Sequence, residues 1–95
     1  MTDPAGSPYE LQVTPPAARA LSDRLPEAVA AAVIEFLTTV LVEQPHRAGK
    51  PLRGQFEGIF SSRRGTYRVL YEIVEKPRQV VVYRIEHRRD AYRDL

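Results

Sequence analysis

Residues 63–73 read RRGTYRVLYEI, and the fold of this stretch decides how the rest of the chain is arranged. Alternation with a period of two puts Tyr67, Val69, Tyr71 and Ile73 on one face of a strand, with Arg68, Leu70 and Glu72 on the other. Gly65 supplies a turn before this strand and residues 76–78 one after it. Further strands are therefore expected from Phe56 to Ser62 and from Gln79 to Glu86, completing a three-stranded antiparallel sheet. Such a sheet has an apolar face that must be covered. The cover is expected upstream, where Val29, Val33, Phe36, Leu37, Val40 and Leu41 recur at spacings of three and four between Pro26 and Pro45, with Glu35 on the exposed side of that helix.

Before that helix, Tyr9 to Thr14 alternates like a short strand. Thr14 is placed to cap a short helix that opens on Pro15 and Pro16 and runs to about Asp23. The segment from Pro45 to Gly58 is rich in Pro, Gly and basic residues and reads as a loop. Residues 1–8 read as a disordered polar tail, and the last nine residues, HRRDAYRDL, as a short basic helix or tail. The expected fold is α+β, one domain over residues 9–95 in the order β-α-α-β-β-β, with the helices on one face of the sheet.

The chain has 95 residues, 43% of them hydrophobic, enough for one modest core. It has no cysteine, so disulfides and thiolate metal sites are excluded, and a reducing cytoplasm suits it. Residues 28–42 form the longest low-polarity run, shorter than the roughly 20 apolar residues that span a bilayer, and no membrane partner is expected. The start, MTDPAGSPYE, has acids and prolines where a secretory signal has Lys or Arg, so no export is expected. Charge is uneven: residues 1–46 hold two arginines against six acids, and residues 47–95 hold twelve Lys or Arg against six acids. A basic second half is what a polyanion-binding surface requires, although a solvated basic face has the same composition.

With Tyr67, Val69, Tyr71 and Ile73 against the helices, Arg68 projects from the open face. Arg84 and Glu86 share one face of the next strand. Arginines on neighbouring strands can aim guanidinium groups at one phosphate, since the planar fork matches an oxyanion. The alternative is a salt bridge from Arg68 to Glu72, Glu86 or Glu57. His46 reads as a solvated loop residue, and Tyr71 and Tyr83 as packing residues.

Three pieces of the sequence are familiar in combination: KPLRG followed by Glu57-Gly58 (Lys50 to Gly54 onward), RRGTYRVLY (Arg63 to Tyr71) and HRRDAY (His87 to Tyr92). Together, in this order, they resemble the RelE/ParE superfamily of bacterial toxins of type II toxin-antitoxin systems, on the RelE side. The resemblance runs from Tyr9 to Arg93. It implies a ribosome-dependent mRNA endonuclease in which a 2′-hydroxyl attacks the adjacent phosphate and leaves a cyclic phosphate, with no metal or other cofactor. It also implies as partners the 30S A site of the ribosome, mRNA and a neutralising cognate antitoxin, with operator DNA met only through the antitoxin.

The resemblance assigns residues as well. Arg68 matches the arginine that binds the scissile phosphate, Arg88 a second arginine near the leaving group, and Tyr92 a tyrosine that stacks on a base or orients the 2′-hydroxyl. His87 stands where several members place an acid/base histidine. Lys50, Arg53, Arg63, Arg64 and Arg89 are expected to contact RNA phosphates. Better-known members carry a lysine pair where this chain has Ile59 and Ser61, which leaves His87, Glu57 or Lys50 to accept the proton. The same superfamily contains ParE-like toxins that poison DNA gyrase without nuclease activity, and a degenerate toxin that only binds antitoxin would share the fold.

Overall fold

A computed structural model describes residues 8–54 and 57–87 of the chain. Its elements are β1 (Glu10–Val13), α1 (Pro15–Arg19), α2 (Glu27–Phe36), α3 (Pro45–Ala48), β2 (Lys50–Pro51), β3 (Ile59–Arg64), β4 (Tyr67–Val74) and β5 (Gln79–His87). They build a five-stranded sheet in the order β1-β5-β4-β3-β2. The expected three-stranded antiparallel unit is its centre, and the α+β order agrees with the sequence reading. The edges differ from it. β1 pairs in parallel with β5, Glu10 facing Gln79 and Val13 facing Val82. The segment read as a loop contains α3 and the two-residue strand β2, which pairs Lys50 with Ser61.

Helical geometry explains the cover. Beyond Phe36 the helix continues through Leu41 in wider, π-type turns. There the Thr38 and Thr39 hydroxyls donate to the carbonyls of Ile34 (2.8 Å) and Glu35 (2.6 Å), the back-bonding that loosens a helix. The wide turn keeps Val33, Leu37 and Leu41 in line at intervals of four, all buried, and turns Val40 out to 40% exposure against the sequence expectation. α1 likewise passes into a wide turn over Ala20–Arg24. Thr14 does not cap α1 with its side chain. Pro15 and Pro16 have no N–H to offer, and the Thr14 hydroxyl donates instead to the Tyr83 carbonyl at 2.9 Å.

The core joins Val33, Phe36, Leu37 and Leu41 to Val69 and Tyr71 of β4 and to Val80, Val82 and Ile85 of β5. The last three break strict alternation because one extra residue sits in β5. Tyr71 faces Val82 but Leu70 faces Arg84, so Tyr83 is a bulge. The slip flips every later side chain. Without it Arg84 and Glu86 would follow Val82 into the core. With it Ile85 enters the core, and Arg84 and Glu86 join Arg68 on the open face.

Candidate functional site

Cross-strand register assembles the site. Arg63 faces Arg68 across β3 and β4, and Arg68 faces Glu86 across β4 and β5. Arg68 Nε and Nη2 both donate to Glu86 Oε1, at 3.1 and 2.7 Å, and Arg84 Nε lies 3.3 Å from Glu86 Oε2. One carboxylate thus orients two guanidinium groups. The arginine side chains are 46% and 59% exposed, whereas Glu86 is only 17% exposed. The ion pair expected as an alternative partner for Arg68 therefore exists, but it braces the arginine from one side and leaves nearly half of it open to a ligand. Exposed pairs of this kind contribute at most about 1 kcal/mol to stability, so their chief consequence is orientation.

Beside Arg68 lies a cleft of about 560 Å³ lined by Arg47, Lys50, Ser61, Arg63 and Arg68, among others. None of the described lining residues is acidic. Four cations around one open space form a focused positive field that favours a polyanion. Lys50 reaches it because β2 sets it opposite Ser61, and Arg47 because α3 folds the chain back toward β3. Arg47 was not singled out in the sequence. The basic run from His46 to Lys50 was its only signal, and that run read as loop.

Other expected site residues fall elsewhere. Arg64 lies on the opposite side of the sheet from Arg63, with its guanidinium carbon 4.5 Å from the centre of the Phe36 ring. It also touches Tyr67, whose hydroxyl is pushed up from its ordinary pKa mainly by burial, against the opposing pull of Arg64. Arg53 is exposed next to Gly54 and does not line the cleft. His87 pairs with Tyr67 at the end of β5 and so belongs to the helix-side face. Arg88, Arg89 and Tyr92 lie outside the described residues. Ile59, at a position where the resemblance has a lysine, pairs with Glu72, and Glu57 is exposed. Tyr83, read as a packing residue, is 41% exposed on the bulge and donates to Glu72 Oε1 at 2.6 Å. His46 is exposed as expected, and its Nε2 lies 3.2 Å from Glu75 Oε2.

Among the described residues no group of three or more His, Asp or Glu is placed to hold a metal ion, and no helix is long and apolar enough to cross a membrane.

Comparison with known proteins places this arrangement. Residues 11–92 match a family model described as the ParE toxin of type II toxin-antitoxin system, parDE. Toxin RelG of Mycobacterium tuberculosis is 48% identical over 86 residues, 90% of this chain and 98% of that protein. Toxin RelE of the same organism is 48% identical over 86 residues, 90% of this chain and 88% of its own length. In the crystal structure of the toxin-antitoxin complex RelBE2 from M. tuberculosis, a chain 46% identical superposes with a TM-score of 0.83, covering 86% of this chain and all of that one.

Proposed function

Because this chain belongs to the RelE/ParE superfamily of toxins of type II toxin-antitoxin systems, we propose that it acts as a metal-independent endoribonuclease on mRNA in the ribosomal A site and is neutralised by a cognate antitoxin. The observation that carries this reading is the cleft in which Arg47, Lys50, Arg63 and Arg68 converge without a lining carboxylate. A gyrase-binding surface has no need of arginines converging on one point. The M. tuberculosis relatives named RelE and RelG support the nuclease side.

In this reading Arg68, held by Glu86, binds the scissile phosphate and meets the charge that grows on its oxygens as the 2′-hydroxyl attacks. The attack forms the 2′-O–P bond and breaks the bond to the 5′-oxygen, leaving a 2′,3′-cyclic phosphate. Although its register puts it on the helix-side face, His87 is the acid/base group of this reading: it ends β5 next to Glu86 and takes the 2′-hydroxyl proton from around the strand end. The resemblance gives Arg88 the role of meeting the leaving oxygen and Tyr92 that of holding the nucleotide. Lys50 and Arg63 hold flanking phosphates. The antitoxin neutralises the toxin by covering the basic face with acidic side chains.

Induced expression of the intact protein and of Arg68→Ala in a bacterial host, with primer extension on an abundant mRNA, tests the proposal. New ends within translated codons that Arg68→Ala fails to make support it. Growth arrest without new ends would move the target to gyrase.

A further inference from the structure

Residues 45–50 are held by bonds that no charge in the cleft requires. α3 has four residues, too few to persist by its own hydrogen bonds. The Tyr71 hydroxyl, on a fully buried ring, donates to the Pro45 carbonyl at 2.7 Å. The Ser62 hydroxyl, also buried, donates to the Ala48 carbonyl at 2.7 Å. Just beyond them Gly49 lies so close to β3 that a Cβ would meet the Ser61 carbonyl oxygen at 2.6 Å and the Tyr71 hydroxyl at 2.8 Å. The strap is therefore held at Pro45, Ala48 and Gly49, while Arg47 and Lys50 line the cleft.

We propose that Arg47 and Lys50 form a second phosphate subsite, for a backbone phosphodiester adjacent to the one at Arg68, and that Tyr71 is the positioning residue that fixes it. The inference rests on the reading of the cleft as an RNA site. Lys50 is opposite Ser61, two residues along β3 from Arg63, and Arg63 is opposite Arg68 one strand further on. Strand geometry separates Lys50 from Arg68 by about 7 Å along the sheet and about 10 Å across it. That spacing serves neighbouring phosphates of one strand better than a single phosphate. Glu86 meets Arg68 from one side only, so the positive field of the cleft still favours an anion, and a rigid strap lowers the ordering cost of meeting one.

The test is the salt dependence of binding of the full chain to a 2′-O-methyl oligoribonucleotide, which keeps every phosphate but cannot be cleaved, read by fluorescence anisotropy. Each lost contact to a single strand lowers the steepness of the fall of log K with log salt by about 0.7. Arg47→Ala with Lys50→Ala, both at exposed positions, should lower it by about 1.4. Tyr71→Phe removes no charge, yet should lower the steepness by at least half as much, and should lower it no further when added to the double variant. Circular dichroism at each salt concentration confirms that the variants are folded. Should Tyr71→Phe prove unfolded, Ser62→Ala takes its place and should behave the same way. A steepness unchanged in Tyr71→Phe or Ser62→Ala, or unchanged by the double variant while Arg68→Ala lowers it, would overturn the inference and leave the RNA reading standing. An intact protein with no salt-dependent binding would overturn both.

Discussion

Replacing Gly49 by alanine adds one methyl group where the strap crosses β3. The backbone there, at φ −151° and ψ −168°, is ordinary extended chain that any residue adopts, so no conformational penalty applies. The cost is steric: the methyl would stand 2.6 Å from the Ser61 backbone oxygen and 2.8 Å from the hydroxyl of the buried Tyr71. Overpacking of this kind costs about 1–3 kcal/mol. Displacing the Tyr71 hydroxyl leaves the Pro45 carbonyl without its donor, about 1–3 kcal/mol more. Reduced freedom of the unfolded chain returns about 0.4–1 kcal/mol. The expected net loss is about 3 kcal/mol, which for a domain of this size lowers Tm by roughly 12–24 °C.

Urea and thermal denaturation followed by circular dichroism measure this loss. Gly65→Ala is the contrast: its added Cβ meets nothing within 4 Å, but φ is +61°, so its loss of about 1–2 kcal/mol is purely conformational. Tyr71→Phe removes one of the atoms the methyl strikes. Gly49→Ala should therefore cost about 1 kcal/mol less in that background than in the parent. A Gly49→Ala variant within about 0.5 kcal/mol of the parent, or one strictly additive with Tyr71→Phe, would refute the clamped strap.

Burial pushes the Tyr71 hydroxyl up from its ordinary 10 to about 12. Below pH 10 both folded and unfolded states keep the proton. Between pH 10 and about 12 only the unfolded state releases it, so about 3 kcal/mol of stability is lost as pH rises through that window; tyrosinate absorbance should show Tyr71 ionising together with unfolding, and a Tyr71→Phe protein should show a shallower slope, keeping only the part due to Tyr9, Tyr67 and Tyr83, which are also raised. Glu86→Gln should change stability by less than about 1 kcal/mol, because Arg68 and Arg84 are half exposed. It should tighten RNA binding by removing a negative charge, yet slow cleavage roughly ten- to a hundredfold because Arg68 loses its aim; unchanged cleavage would show that Glu86 does not orient Arg68. Arg64→Ala should lose about 0.5–1 kcal/mol of stability with its Phe36 contact and leave RNA affinity alone, whereas Arg63→Ala should do the reverse. Equal effects on RNA binding would contradict the two-faced placement.

Much of this architecture was legible in RRGTYRVLYEI, because alternation depends only on local geometry and the whole apolar face of β4 is used. Arg68 on the open face followed directly. The parallel pairing of β1 with β5 was not legible, since it joins segments about 70 residues apart and leaves no local trace. The bulge at Tyr83 was hidden for a related reason: an extra residue changes the phase of a strand without changing its composition. Arg84 and Glu86 were nevertheless placed together correctly, being two residues apart on the same side of the bulge. The strap was missed because its order comes from tertiary bonds, Tyr71 to Pro45 and Ser62 to Ala48, and its own Pro and Gly content signals a loop. Arg64, next to Arg63 in a basic run, illustrates the limit of reading charge alone, since strand alternation sends one to the cleft and the other to Phe36.

In the proposed reaction Arg68 holds the phosphate attacked by a 2′-hydroxyl. The most direct test is a single-turnover assay with purified protein and ribosomes carrying an A-site codon made either of ribonucleotides or with a 2′-deoxy nucleotide at the cut position. Cleavage of the ribonucleotide codon should leave a 2′,3′-cyclic phosphate end, the deoxy codon should not be cut, and Arg68→Ala should lose about 10²–10³ in rate. Equal cleavage of the two codons, or an Arg68→Ala protein as fast as the parent, would contradict that reaction.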